Sequence, residues 1–231
     1  MTQALLALLQ ISDSAFPSGT FTHSFGLEQL VRDGYVRTPV ALEAFVDSVL
    51  RQSTSTADVV AMRRAWSCAV EWDLEGIVDA DRAYLRTKTA SELRAASLAT
   101  GRRLAEETAV HVEDELLQSY AARLREDRSL GMHPIAFGVV GSTLGVSEDD
   151  CASALLQTTA NAILQASMRL LPISHRDVQG ILHRLRPEIA SLAQETGKVG
   201  VAPEQPMRSF HPLQEIASMR HARGNSRLFS S

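Results

Sequence analysis

The residues best suited to chemistry lie near the start of the chain, in residues 16–28, which read FPSGTFTHSFGLE. His23 stands next to Ser24, and Asp13 precedes the segment by three positions. An imidazole, a hydroxyl and a carboxylate are the groups of a serine hydrolase, but geometry rather than sequence adjacency defines that triad. Ser24 also lies in HSFG and not in the G-x-S-x-G turn that exposes such a nucleophile. The segment is therefore a candidate site without a recognisable catalytic pattern.

Two interpretations of this segment stay open on spacing alone. Pro17 and Gly19 favour a tight turn, across which Asp13 and His23 could approach each other. They would then form a polar cluster at a partner surface or along a path for ions. Alternatively, the phenylalanine rings pin the loop to the body and Asp13 caps a helix.

Common cofactor and metal motifs are absent from the sequence. Gly197 and Lys198 lack the rest of a phosphate loop, and HExxH, CxxC and a Gly-rich dinucleotide fingerprint do not occur. His111 and Glu115 are spaced i, i+4, but one such pair is typical of a solvated helix surface. An enzyme interpretation thus lacks a visible active site, and we predict no catalytic residue, no tightly bound cofactor and no metal site.

Composition excludes further classes. The chain has 231 residues, a net charge of −4 and a pI near 6.0, so no basic balance draws it to nucleic acid or to anionic membranes. Cys68 and Cys151 lack metal-type spacing and are expected to be reduced thiols in a cytoplasmic protein. The short apolar run at the start has no preceding positive charge, and no run approaches the roughly 18 residues of a membrane span.

Helical periodicity runs through almost the whole chain, whereas period-two alternation is hard to find. It predicts an all-α fold, a single-domain bundle of roughly nine to eleven helices over residues 1–231. Pro172 should end a long helix, Pro187 should break or restart the next, and residues 197–212 should form an extended loop. The predicted core stripes are Leu42, Phe45, Val46, Val49 and Leu50; Val59, Met62, Trp66 and Val70; Leu155, Leu156, Thr159, Ile163 and Ala166; and Val178, Ile181, Leu182, Leu185, Ile189 and Leu192.

A ridge of small residues occupies residues 92–104, ELRAASLATGRRL. Ala96, Ser97, Thr100 and Gly101 would let another helix approach closely, within one subunit or between two. The flanking arginines fit a solvated basic face better than a phosphate site. These arginines are Arg94, Arg102 and Arg103.

The end of the chain combines a short amphipathic helix with a basic tail. Leu213, Ile216 and Met219 (or Arg220) share one helical face, and Gly224 can terminate the helix. The tail that follows is either a frayed terminus or a docking peptide with apolar anchors and arginines. Its charged and apolar residues are Arg223, Arg227, Leu228 and Phe229.

Five patterns follow one another in order along nearly the whole chain. Their residues are Leu9, Gln10, Asp13, Pro17, Gly19, Phe21, His23, Ser24, Gly26, Leu27 and Glu28; Glu92, Leu93, Arg94, Ala96, Ser97, Gly101 and Arg102; His133, Pro134, Ala136, Phe137 and Gly138; Arg169, Leu170, Pro172 and Gln179; and Pro212, Ile216, Met219, His221, Ser226, Arg227, Leu228, Phe229 and Ser231. Together these patterns resemble the UreF family of urease accessory proteins. The chain departs from the family at Ala222 and Asn225, where Glu and Tyr are usual, and at residues 173–175, where Leu-Gly-Gln is usual.

The resemblance implies a non-enzymatic all-α adaptor that forms homodimers and binds UreD (also called UreH) and the GTPase UreG. That complex would insert nickel into apo-urease as UreG hydrolyses GTP, with UreE as the indirect nickel donor. Nickel would be handled transiently, with a contact at His23, and GTP would be bound by UreG rather than by this chain. Residues 222–231 would be a tail that docks on UreD.

The resemblance also assigns roles to residues. Partner-binding roles fall to Asp13, Phe21, His23, Ser24, Arg220, His221, Arg227, Leu228 and Phe229. Structural roles fall to Pro17, Gly19, Gly26, Glu28, Arg94, Ser97, Gly101 and Arg102.

The alternative function from another class is an all-α small-molecule-binding protein or enzyme that uses the loop around His23 and Ser24. It requires a deep apolar pocket with converging polar groups at that loop. A helical DNA-binding regulator is disfavoured by the negative charge and the lack of a basic recognition helix.

Overall fold

The chain folds into packed helices. A computed structural model describes residues 2–19, 23–198, 206–222 and 228–229. No strand occurs within these ranges, which confirms the all-α prediction. The helices are α1 (Thr2–Ser12), α2 (Leu27–Arg32), α3 (Pro39–Val49), α4 (Val60–Val70), α5 (Leu74–Leu85), α6 (Ser91–His111), α7 (Glu115–Arg125), α8 (His133–Thr143), α9 (Glu148–Leu170), α10 (His175–Lys198) and α11 (Pro212–Ala222), with a π-helical segment (Leu50–Val59) between α3 and α4.

The segments α3, π and α4 follow one another without a break, so the described ranges contain ten separate helices, as the sequence predicts. Two backbone carbonyls of the π-helical segment accept hydrogen bonds from outside the helix. The Arg208 N–H donates to the Thr56 carbonyl, and the Phe210 N–H donates to the Gln52 carbonyl, each at 3.0 Å. Residues 206–211 are thereby held along the π segment, on the approach to α11.

Helix α8 is the centre of the bundle. Residues 134–141 are all buried, as expected for a helix that is apolar on every side. It packs against α4 at Gly138, where an added Cβ would lie 2.3 Å from the Met62 carbonyl oxygen. The core stripes predicted on α3, α9 and α10 are largely buried around it.

Pro187 does not break α10, and the expectation that it would is wrong. The helix runs from His175 to Lys198 through this proline. Pro187 is solvent-exposed, so water can bind the carbonyl that its missing N–H leaves free. On the opposite face Ile181, Leu185 and Ile189 stay buried, and their packing outweighs the local cost.

Within the described residues, no helix is long and apolar enough to cross a membrane.

Candidate functional site

The opening loop (residues 13–26) contains Asp13 and His23, whose closeness in sequence would allow their side chains to approach each other. The Asp13 carboxylate accepts a hydrogen bond from the Ala15 N–H at 2.7 Å and lines a surface groove with Glu107 and His111. His23 lines a different, internal cavity, and burial lowers its pKa. The structure thus places Asp13 and His23 on separate cavities. Phe21 lies outside the described residues.

Ser24 is fully buried at the turn that leads into α2. Its carbonyl accepts a hydrogen bond from the Leu27 N–H at 2.9 Å. Phe25 and Gly26 follow in the left-handed region, with φ of 53° and 84°. An added Cβ at Gly26 would lie 3.0 Å from the Gln214 carbonyl oxygen. The turn therefore needs glycine where α2 meets α11, and it leaves Ser24 inaccessible as a nucleophile.

Glu28 lies at the centre of the site, although the sequence gives it only a structural role. Its side chain is 1% exposed, at the start of α2. Its carboxylate accepts hydrogen bonds from Arg32 Nη2 at 2.6 Å and from the Leu228 and Phe229 N–H groups at 3.2 Å. His221 Nε2 lies 2.9 Å from the same carboxylate. Glu28 thus connects the opening segment to both α11 and the end of the tail.

His221 lies between two carboxylates. Its Nδ1 is 3.1 Å from Glu92 Oε2, on α6, while its Nε2 faces Glu28. Each ring nitrogen therefore faces a carboxylate oxygen, the kind of acceptor that an imidazole N–H suits. The Arg32 guanidinium, also beside Glu28, limits the cost of burying this carboxylate.

The charge pattern explains the protonation state of Glu28. Burial acts to raise the pKa of this carboxyl, but the hydrogen bonds from His221 and Leu228 and the charges of His221 and Arg32 outweigh it. The pKa of Glu28 is therefore lowered, and the carboxylate is ionised at neutral pH.

The two described residues of the tail point in opposite directions. Phe229 is buried, with the Arg169 guanidinium 5.8 Å from its ring centroid. Leu228 is 65% exposed. Of the predicted partner-binding residues, Phe229 and His221 thus face the protein's own interior, while Leu228 is open to a partner. Arg227 lies outside the described residues.

Helix α11 is inverted: it buries its polar face and exposes its apolar face. Its buried face carries Gln214, Ser218 and His221 together with Ala217. Its exposed face carries the apolar residues of the predicted stripe. These exposed residues are Leu213, Ile216 and Met219, and Phe210 precedes them.

Two polar contacts fix the position of α11. His211 caps its start: Nδ1 accepts from the Gln214 N–H at 3.1 Å, and Nε2 lies 2.9 Å from Ser48 Oγ. At the other end, Arg220 forms an ion pair with Asp33 at 2.5 Å. The sequence analysis missed His211, and its position directly before Pro212 at a helix start was the available signal.

The small-residue ridge on α6 packs against the start of α8. An added Cβ at Gly101 would lie 2.2 Å from the Gly131 carbonyl oxygen. Ser97 Oγ accepts the His133 N–H at 3.0 Å, one of the N–H groups left free at a helix start. Arg102 donates to the Leu130 carbonyl at 2.9 Å, so this arginine holds a loop rather than a phosphate.

A buried carboxylate completes this junction. Asp81 accepts hydrogen bonds from the N–H groups of residues 130–132 and from the Ser129 hydroxyl, at 2.7–3.1 Å. Burial raises the pKa of Asp81, and these hydrogen bonds oppose the rise. Arg94, the remaining structural residue on α6, donates to the Lys88 carbonyl at 3.2 Å.

The internal cavity beside His23 is small. It encloses about 60 Å³, whereas pockets for drug-sized ligands measure roughly 300–1,000 Å³. Asp58 at its wall accepts from the Tyr84 hydroxyl and from Lys88 Nζ, each at 2.8 Å. Nor do the described residues gather three His, Cys, Asp or Glu side chains in an arrangement that could hold a metal ion. Among the described residues, this cavity is smaller than the pocket that the small-molecule alternative requires.

Comparison with known proteins finds matches along nearly the whole chain. The UreF family model matches residues 36–186. The chain is 31% identical over 229 residues to urease accessory protein UreF of Yersinia enterocolitica, covering 98% of each chain. It is 30% identical over 226 residues to the UreF of Trichodesmium erythraeum, covering 98% of this chain and 96% of the relative. A third relative, the UreF of Bacillus sp. TB-90, is 29% identical over 227 residues, covering 98% and 99%. The chain therefore belongs to the UreF family of urease accessory proteins.

Proposed function

We propose that this protein is a non-enzymatic adaptor in urease maturation, which holds UreD (UreH) and the GTPase UreG in one assembly with apo-urease. The observation that carries the proposal is the inverted helix α11. Leu213, Ile216 and Met219 form an apolar row on its outer face, and they are 41–54% exposed. A contiguous apolar row at the surface is typical of a protein–protein contact.

The C-terminal tail, residues 222–231, is the proposed contact with UreD. Leu228 is exposed and supplies an apolar anchor, which a pocket on the partner can bury. Arg227, next to it in the sequence, supplies charge-assisted hydrogen bonds in this proposal. Phe229 stabilises the tail from the inside, because its ring packs against the body of the same chain.

The chemistry of nickel insertion belongs to the other proteins of the assembly. In this proposal UreG binds and hydrolyses GTP, UreE delivers nickel, and the adaptor couples nickel release to transfer by fixing the geometry. The sequence of this chain has no phosphate loop, which supports placing the nucleotide in UreG. His23 would contact nickel only transiently, since a lone imidazole is a weak ligand site. A homodimer would present two such assemblies.

Truncation tests the role of the tail. A chain that ends after Gly224 should keep its helical fold, because the apolar core lies almost entirely before that residue. It should fail to co-purify with UreD when the two are co-expressed and passed over a size-exclusion column, while the full-length chain elutes with UreD and UreG. Co-elution of UreD with the truncated chain would refute tail docking. If the full-length chain forms no complex either, the adaptor function itself is wrong.

A further inference from the structure

The carboxylate of Glu28 is bound from both ends of the chain. Among the described residues, the donor that belongs to the same helix is Arg32. The other described donors are His221 and the backbone N–H groups of Leu228 and Phe229, about two hundred positions later in the sequence. Burying a carboxylate is costly unless donors compensate it, and here the tail supplies part of the compensation.

We infer that Glu28 is the positioning residue of the C-terminal tail: it fixes the backbone so that Phe229 faces inward and Leu228 faces a partner. The inference rests on the proposed function in one respect, since the direction of Leu228 matters only if the tail docks. Two consecutive N–H groups that converge on one carboxylate determine the local backbone orientation. Leu228 N lies 3.2 Å from both Glu28 oxygens, and Phe229 N lies 3.2 Å from Oε2.

The charge of Glu28 is necessary for this role, and not merely its shape. The described groups within hydrogen-bond distance of the carboxylate are a guanidinium, a ring nitrogen of His221 and two backbone N–H groups, and the guanidinium and the N–H groups can only donate. A glutamine of nearly the same size would turn an NH₂ donor towards at least one of them. The charge-assisted bonds would become weaker neutral ones, and one donor would be left without an acceptor.

His221 acts through Glu28 rather than on a partner. Its ring is fully buried and reaches Glu28 on one side and Glu92 on the other. This bridge keeps α11 against α2 and α6, so that the end of α11 lies next to the Glu28 carboxylate. The partner contact is then made by Leu228, which the buried groups orient.

Hydrogen exchange of the C-terminal peptide in the full-length protein tests the inference. In the unaltered chain, the amides of Leu228 and Phe229 should be protected. Glu28→Gln should make that peptide exchange roughly tenfold faster or more, while peptides from α9 and α10 keep their rates. Glu28→Asp, which keeps the charge, should restore part of the protection. Glu43→Gln is the matched control, since it removes a carboxylate that pairs with Arg184 on the surface and should leave the tail unchanged.

Equal exchange of the C-terminal peptide in the Glu28→Gln variant and in the unaltered chain would overturn the inference, as would an unprotected tail in the unaltered chain. Capture of UreD by each variant separates this outcome from the proposed function. If the unaltered chain fails to capture UreD, the adaptor proposal fails whatever the exchange rates are. If only Glu28→Gln loses both protection and capture, both proposals hold.

Discussion

At the scale of single residues, backbone contact rather than side-chain chemistry explains the glycine in the small-residue ridge. Gly101 lets α6 approach the loop before α8, where an added methyl group would overlap the Gly131 carbonyl oxygen and come within 2.7 Å of the His133 nitrogen. Backbone atoms cannot move aside as the end of a flexible side chain can. The space at Gly101 is therefore part of how the α6–α8 junction is built.

Gly101→Ala should lower the free energy of unfolding by roughly 1–3 kcal/mol, the usual cost of overpacking. Urea denaturation followed by circular dichroism measures it. Gly180→Ala is the matched control: Gly180 lies in α10, and its added Cβ would meet only the flexible Arg184 side chain at 3.3 Å. That change should be neutral or should stabilise the protein by up to about 1 kcal/mol. Equal stability of the two variants would show that the contact at Gly101 relaxes without cost.

His133 makes stability depend on pH. Burial lowers its pKa to about 4, the nearby Asp58 opposes the shift, and His23 adds to it. Below the ordinary histidine pKa near 6.5, the unfolded chain binds a proton that the folded chain does not, so stability falls as pH falls. We expect the lowered pKa of His133 to reduce the free energy of unfolding by roughly 1–2 kcal/mol as the pH falls from 7 to 5.

His133→Gln should flatten that part of the pH dependence, which denaturation at a series of pH values would show. Some slope should remain, because burial also lowers the pKa values of His23 and His211. His183→Gln, at an exposed position on α10, should leave the slope of the unaltered protein in place. An unchanged slope in His133→Gln would mean that His133 is protonated equally in both states.

At the scale of elements, α11 presents to solvent the face that a helix normally buries. Ile216→Asp should therefore change the free energy of unfolding by no more than about 0.5 kcal/mol, as for most surface substitutions. The same change should weaken co-purification with UreD, because a charge would enter an apolar contact. Val110→Asp, at an exposed apolar residue of α6, is the control and should retain UreD. Strong destabilisation by Ile216→Asp would indicate that this face is covered within the protein itself.

The sequence predicted the helices better than it predicted their environments. The 3.6-residue period of α9 and α10 identified the core residues directly, because those faces are buried against neighbouring helices. The same period in α11 identified which residues share a face, but it carried no information on which face is buried. Local propensity alone predicts a break at Pro187, but the buried packing of Ile189 and its neighbours keeps α10 continuous.

The candidate site was predicted only in its components. Glu28 and His221 appear in the family pattern, but 193 positions separate them, and no local rule predicts their contact. On spacing alone Asp13 and His23 could approach each other, because they are close in sequence. In the structure they line different cavities.

At the scale of the whole molecule, the opening loop should matter for nickel transfer more than for assembly. The double variant Asp13→Ala, His23→Ala should still form the complex with UreD and UreG, because both side chains line cavities rather than the exposed apolar face of α11. Nickel-dependent urease activation should fall, since the polar groups proposed along the route are removed. His175→Ala, at an exposed residue of α10, serves as the control. Normal activation by the double variant would exclude these residues from the route.

The π-helical segment also sets the rotational register of everything that follows it in the α3–α4 helix. Each residue of a regular helix advances by about 100°, so deleting one residue from Leu50–Val59 would turn α4 by roughly that angle relative to α3. Gly138 would then face a different side of α4, and Arg63 would no longer reach Asp149, its 2.6 Å partner on α9. The protein should thus tolerate changes in the length of this segment less well than changes in its amino acids. A one-residue deletion should be more damaging than most substitutions within it.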